Sequence, residues 1–208
     1  ETYYKILVPE KNSKGKGVRK GYLWVVVGIN TRMIYLLYDD GSRSEKVILN
    51  ELGGCKGIIQ SDGYSPYRKL ESDAYPHITR IPCLQHIKRK FIDCGEDEPD
   101  AKRIVELINT LYQNEHKHKI GVDGWTVEQN LVHRKKYAPD ILGEIKDVLD
   151  DIEERGDLLP KSELKEAVTY LRNEWNAVVD IFNYGDTYLD NNIVERMNRY
   201  ISLSRKNS

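Results

Sequence analysis

The apolar residues change their period part-way along the chain. Before Asp93 they come in short runs. Thr2 to Val8 alternates loosely, and Tyr22-Leu23-Trp24-Val25-Val26-Val27-Gly28-Ile29 is a continuous β-branched and aromatic run, the pattern of a strand buried on both faces. Asn30-Thr31-Arg32 predicts a turn, Met33 to Tyr38 a further strand, and Asp39-Asp40-Gly41 its end. Val47, Ile48 and Leu52 fall at helical spacing within Ser44 to Leu52. Gly57 to Asp62 and Ile78 to Leu84 read as the remaining strands. Strands joined by turns, then a helix and a further strand, predict a mixed sheet in which a helical crossover suits a parallel return.

Beyond Asp93 the period becomes helical. Ile104, Leu107, Ile108, Leu111 and Tyr112 form one stripe, and Ile141, Leu142, Ile145, Val148, Leu149 and Ile152 another. Thr126-Val127-Glu128-Gln129 reads as a capping box. Gly156 to Pro160 breaks the chain, Ser162 can cap a new helix, and Leu164, Val168, Leu171, Trp175 and Val178 continue the helical spacing. The last two helices are expected to pair as a hairpin across that break. Stripes of this kind are core, and they are given no chemical role.

The strand-like first part and the helical later part read as α/β, and composition reads as globular. A chain of 208 residues is one large domain or one domain carrying an insertion. With 39% hydrophobic residues it can bury a core and is not a disordered chain. The formal net charge of -1 supplies no bulk positive field, so any contact with nucleic acid must come from local patches. Cys55, Cys83 and Cys94 are odd in number and lack a framework spacing, which fits a reducing cytosol and a cytoplasmic protein. No apolar run is long enough to span a membrane, and Glu1-Thr2-Tyr3-Tyr4 does not open a signal peptide. An opening without Met is expected of a fragment of a longer protein.

Four groups of residues could carry chemistry. Asp62 ends a strand, where ligands collect in open α/β sheets, and its carboxylate is placed to hold a hard cation. The alternative is an Asp that starts a turn before Gly63. Glu195 shares a helical face with Asn191, Asn192 and Arg199. Two structural alternatives stand beside it: Asn192 as N-cap with Glu195 in a capping-box variant, or a surface pair of Glu195 with Arg199 worth roughly a few tenths of a kcal/mol. Cys83-x-x-His86 precedes Lys88-Arg89-Lys90. A structural zinc site needs four ligands, and His116 and His118 offer themselves only by composition, so a core Cys beside a polar His is the leading reading. The basic residues form three clusters: Lys11, Lys14, Lys16, Arg19 and Lys20; His133-Arg134-Lys135-Lys136; and Arg196, Arg199, Arg205 and Lys206 around Glu195. Cations beside a carboxylate metal site suit a phosphodiester substrate.

These pieces resemble the insertion-sequence sixty-six family of bacterial transposases, in its central DDE catalytic domain. The carrying segments are Gly21-Tyr22-Leu23-Trp24, Gln60-Ser61-Asp62-Gly63-Tyr64, Cys83-Leu84-Gln85-His86-Ile87-Lys88-Arg89-Lys90-Phe91, Pro160-Lys161-Ser162, Asp190-Asn191-Asn192-Ile193-Val194-Glu195-Arg196 and Arg205-Lys206-Asn207-Ser208. They run nearly end to end in the same order. The resemblance implies a ribonuclease H-like fold, with Asp62 the second acid of the triad and Glu195 the third. The first acid of the family sits just before a Glu-Thr pair, so it is expected to precede Glu1 and to be missing from these 208 residues. Weak or no catalysis from them alone is the consequence. The chemistry implied is phosphoryl transfer with two Mg²⁺ or Mn²⁺ ions about 3.5–4 Å apart, held by oxygen ligands.

The same resemblance implies transposon-end and target DNA as partners, a homodimer or higher multimer assembled on DNA, and association with the nucleoid when bound. Lys88, Arg89, Lys90, Asn191, Asn192, Arg196, Arg199, Arg205 and Lys206 become the expected DNA contacts, and His86 a supporting residue near the acids. The domain reading is a sheet part over 1–92, a helical insertion over 93–184 that contacts transposon DNA or a second subunit, and a return to the core over 185–208. Two other readings stay open: a non-catalytic DNA-binding or assembly module that keeps the fold, and a nuclease that hydrolyses without joining.

Overall fold

The computed structural model describes residues 2–9 and 17–206. They divide into two compact units, Glu1–Cys55 with Asn191–Ser208, and Lys56–Asp190. Among the described residues, no helix is long and apolar enough to cross a membrane.

In the first unit, β1 (Thr2–Leu7), β2 (Val18–Gly28) and β3 (Met33–Leu37) make an antiparallel sheet in that order. Tyr3 faces Tyr22, and Val26 faces Tyr35. Trp24 and Val25, adjacent and therefore on opposite faces, are both buried, so the middle of β2 is covered on two sides as its run of β-branched residues predicts. β3 is different. Met33, Ile34, Tyr35 and Leu36 are all exposed. The turn between these strands places Arg32 at φ 53°, a left-handed conformation. α1 (Glu45–Leu52) begins where Ser44 accepts a hydrogen bond from the amide of Lys46 and buries Val47, Ile48 and Leu52. α7 (Asn192–Lys206) packs on β1 and β2.

In the second unit, β4 (Gly57–Ser61) and β5 (Ile78–Pro82) pair in parallel, with Ser61 opposite Pro82. The crossover between them contains the short helix α2 (Ser65–Arg68) and a 3-10 turn at Lys69–Glu71. Four helices come next: α3 (Leu84–Ile92), α4 (Pro99–Glu115), α5 (Val127–Arg155) and α6 (Glu163–Ile181). One core joins them to the strands. Ile81 of β5 and Leu84, Ile87 and Phe91 of α3 pack with Ile104, Leu111, Ile145, Leu149, Val168 and Leu171. The Thr126–Gln129 capping box is formed, and Gly156 ends α5 in the left-handed conformation. Arg172 of α6 pairs with Asp150 and Glu153 of α5, which ties the expected hairpin.

Three expectations need correction. Among the described residues the strands pair in two sheets, one antiparallel and one parallel, where a single mixed sheet was expected; β4 finds its ladder partner downstream in β5. The strand expected from Ile78 to Leu84 stops at Pro82, because Leu84, Ile87 and Phe91 are spaced for a helix and bury there. His86 therefore lies in the first turn of α3. Finally, the basic run His133-Arg134-Lys135-Lys136 is not one surface cluster.

Arg134 of that run is fully buried. Its Nε donates to Glu115 Oε2 at 3.0 Å, Nη2 pairs with Glu115 Oε1, and further hydrogen bonds reach the carbonyls of Ile181, Tyr184 and Thr187 and the Thr187 hydroxyl. One guanidinium thus ties α4 and α5 to the end of α6 and the chain beyond it. Burial would raise the Glu115 pKa, but the charge and hydrogen bonds of Arg134, with bonds from Tyr137 and Asn130, lower it below the ordinary carboxylate value. Replacing Arg134 by Met strands Glu115 without its partner, and we expect a loss of about 3–5 kcal/mol in urea unfolding at neutral pH. Because the folded pKa of Glu115 is depressed, its stabilisation is present above the unfolded carboxylate value and fades as pH falls through the folded one. The urea midpoint should accordingly drop as the pH falls below the ordinary carboxylate value, and less steeply in Glu115→Gln.

Candidate functional site

Asp62 sits one residue past β4, at the carboxyl end of the parallel pair, and is half-buried. Its Oδ1 accepts the Tyr64 amide at 3.0 Å, closing an Asx turn. Oδ2 accepts no hydrogen bond among the described residues. Turn-starting Asp and available carboxylate oxygen are therefore properties of the same side chain. Gly63 is required by a close approach: a Cβ there would stand 2.2 Å from the hydroxyl of Tyr170.

Beneath this turn lies a buried charge network. Arg80, on β5, is fully buried; Nη2 pairs with Glu174 of α6, also fully buried, and Nε pairs with Glu71. Arg80 Nη1 donates to the Ser61 hydroxyl and to the backbone carbonyl of Asp62, each at 3.3 Å. Burial alone would lower the Arg80 pKa, but Glu174 and Glu71 reverse this and leave it above its ordinary value. Arg68 Nε stands 3.9 Å from Glu174. From α6, the Tyr170 hydroxyl accepts the Gly63 amide at 2.9 Å. Burial, with the Glu174 charge behind it, pushes the Tyr170 hydroxyl up to about 12.

The segment after β5 adjoins the same end of the sheet. Cys83 is buried and precedes α3; the chain there is tied to Leu189, whose carbonyl accepts the Leu84 amide at 2.9 Å. Gln60 Nε2 bridges the carbonyls of Pro82 and Tyr188, and the Tyr112 hydroxyl donates to Asp190 at 3.1 Å. The strand ends thus hold the chain that leads into the second acidic segment. Burial and the Asp190 charge push the Tyr112 hydroxyl far above its usual range. His86 Nδ1 is buried without a hydrogen-bond partner among the described residues. Arg89 and Lys90 are exposed in the last turn of α3 and Lys88 is half-buried; cations there also suit the helix dipole. Lys90 Nζ lies 5.8 Å from the centre of the Tyr170 ring, so this one of the three comes close to the Asp62 turn.

Glu195 belongs to the other unit, in the first turn of α7, and is exposed. The helix starts at Asn192, and the carbonyl of Asn191 accepts the amides of Val194 at 2.9 Å and Glu195 at 3.2 Å. Asn191, not Asn192, is the residue before the helix, so the capping box imagined for Asn192 and Glu195 does not form. Asn191 is buried and its Oδ1 has no partner among the described residues. Asn192, Arg196 and Arg199 are exposed. Arg205 and Lys206 end α7, and their side chains lie outside the described residues, as do Glu1, Lys11, Lys14, Lys16, Asn207 and Ser208. Of the first basic cluster, Arg19 pairs with Asp40 at 2.6 Å, and Lys20 Nζ lies 4.4 Å from the centre of the Tyr3 ring. Among the described residues, no three His, Cys, Asp or Glu side chains are gathered so as to hold a metal ion.

Sequence reasoning passed over Arg80, Glu174 and Tyr170. A signal was present for two of them. Arg80 lies on the strand face of buried Ile78 and Pro82, and Glu174 lies at helical spacing between Leu171 and Val178, so each is a charge in an otherwise apolar row.

No solved structure matches the chain. Two proteins of Sinorhizobium fredii (strain NBRC 101917 / NGR234), each described as uncharacterized, are similar to it. Protein y4jD is 29% identical over 174 residues, covering 80% of this chain and 33% of its own. Protein y4qI is 26% identical over 204 residues, covering 91% of this chain and 36% of its own. The chain thus spans about a third of the length of these curated relatives. The family described as Transposase IS66 family matches residues 1–208, and the chain belongs to it.

Proposed function

We propose that this chain is the catalytic part of a DDE transposase, performing metal-dependent cleavage of DNA and transfer of a 3′ end to target DNA. The carrying observation is Asp62: a carboxylate past the end of a parallel strand, half-buried, with one oxygen uncommitted among the described residues, in a chain of a transposase family. The donor chemistry fits Mg²⁺ or Mn²⁺, which take hard oxygen ligands. When bound, such ions activate the attacking oxygen and stabilise the leaving one.

In this reading Asp62 and Glu195 each give a carboxylate to the cation. His86 supports the site by orienting a phosphate. Lys88, Arg89, Lys90, Asn191, Asn192, Arg196, Arg199, Arg205 and Lys206 hold the DNA backbone by charge and hydrogen bonds. The order of elements supports a ribonuclease H-like reading: an antiparallel trio, a helix, then strands β4 and β5 in parallel. The partners are transposon-end and target DNA, engaged by a multimer, and the helical region over 93–184 adds DNA or subunit contacts.

Asp62 and Glu195 lie in different compact units, so their sharing of a cation is what must be measured. Fe²⁺ placed in a Mg²⁺ site generates radicals that cut the nearby backbone. With ascorbate and peroxide, the chain should be cut near both Asp62 and Glu195, and Asp62→Asn should remove both cuts. Cuts at one segment only, or unaffected by the substitution, would leave a DNA-binding module as the better reading. In a protein containing this chain and active on transposon ends, Asp62→Asn and Glu195→Gln should each lower strand cleavage about 100-fold or more, the scale of several kcal/mol of metal-borne stabilisation, with end binding retained.

A further inference from the structure

We propose that Tyr170 and the Arg80–Glu174 pair are positioning residues for Asp62, so that helix α6 sets where its carboxylate points. This rests on Asp62 being a metal ligand. The geometry concerns one peptide unit. The carbonyl of Asp62 and the amide of Gly63 belong to the same planar group. Arg80 Nη1 donates to that carbonyl at 3.3 Å, and the Tyr170 hydroxyl accepts from that amide at 2.9 Å. Both poles of the plane are therefore pinned, and with them the torsion that carries Asp62 out of β4 and into its turn.

Both pins trace to α6. Tyr170 and Glu174 are one helical turn apart and lie on the same face. Tyr170 reaches the peptide directly; Glu174 holds the guanidinium that reaches it. Arg80 also donates to the Ser61 hydroxyl at 3.3 Å, and that hydroxyl donates to the Asp62 carbonyl at 2.9 Å, so the same oxygen is held by two connected donors. A bond that merely stapled α6 to β5 would need only the Arg80–Glu174 pair. Apart from the Arg80–Glu71 pair, three further bonds, from Arg80, the Ser61 hydroxyl and the Gly63 amide, meet at the peptide just after the carboxylate. Gly63 completes the fit, since any side chain there meets Tyr170. A hard cation tolerates little drift of its ligands, and the groups that orient a ligand contribute to its affinity.

The test uses Tyr170→Phe, which keeps the ring in place and removes only the acceptor. Free Mn²⁺ is followed by electron paramagnetic resonance during titration of the chain, and unfolding is followed by thermal melting. Tyr137→Phe is the control: it removes a hydroxyl that donates to Glu115 at 2.9 Å in the same unit. Tyr170→Phe should weaken Mn²⁺ binding roughly 10-fold and speed hydrogen exchange of the Gly63 amide, while Tyr137→Phe leaves Mn²⁺ binding unchanged at a comparable or larger drop in melting temperature. Equal Mn²⁺ affinity in Tyr170→Phe and the unsubstituted chain, with Asp62→Asn abolishing binding, would overturn the positioning role and leave Asp62 as a ligand. Binding indifferent to Asp62→Asn would remove the ligand reading and the positioning role with it.

Discussion

A guanidinium removed from water cannot shed its charge to ease the cost, and two of them lie in the interior of the second unit. Arg80 and Arg134 have fully buried side chains, and each is surrounded by carboxylate and carbonyl oxygens from several elements. An uncompensated charge in that position would cost more than a typical domain can spare, so the elements that supply partners must arrive together. Arg134 requires Glu115 at the end of α4 and the chain beyond α6. Arg80 requires Glu71 before β5 and Glu174 within α6. The consequence is that α6 is held at Glu174 within its C-terminal half and at Ile181, its last residue, by arginines it does not own. The Asp62 turn inherits its rigidity from this arrangement, because the same Arg80 that pairs with Glu174 Oε2 also donates to the Asp62 carbonyl.

The two sequence readings of Asp62 do not exclude one another. A carboxylate has two oxygens, and the turn uses one. An Asx turn fixes the side chain by its own backbone and leaves the second oxygen directed by that constraint, which is a useful property for a ligand. Glu195 differs in kind. It is exposed on the first turn of a helix, with the Asn191 carbonyl satisfying its amide, and nothing among the described residues commits its side chain to a structural duty through a capping box. Its part in the proposed chemistry comes from family membership and from its neighbours Arg196 and Arg199.

Locality decided which features were legible in the chain. Thr126 and Gln129, Ser162, and Gly156 act within a few residues of themselves, so their roles could be read directly. The leucine and isoleucine stripes were legible because helical periodicity is local too. The exposed β3 was not, since Met33 to Leu36 looks as apolar as a buried strand and only the tertiary neighbours decide its burial. Arg134 was misread for the opposite reason. Its basic neighbours suggested a surface, whereas its place one turn after buried Asn130 and one turn before buried Ala138 puts it on the inner face. Tyr170 gave no signal at all, because its partner is a backbone amide 107 positions away.

The helical region is consequently not an appendage that could be trimmed to leave a working site. Ile81 of β5 and Leu84, Ile87 and Phe91 of α3 bury against residues of α4, α5 and α6, so removing those helices exposes the core under the strand ends. It also unpairs Arg80 from Glu174, leaving Glu71 as the remaining acid in contact with that guanidinium, and loosens the donor that Arg80 gives to the Asp62 carbonyl. A truncated chain would then fail for reasons of folding whether or not the helices touch DNA. Point substitutions on their exposed faces separate the two possibilities, because an exposed lysine can be neutralised without disturbing either buried arginine. Lys135 and Lys136 meet that condition: both are exposed and lie directly after the Arg134 that must be left alone. A loss of DNA-end affinity on neutralising them, with unfolding unchanged, assigns contact with nucleic acid to this region; unchanged affinity leaves it the role of brace alone.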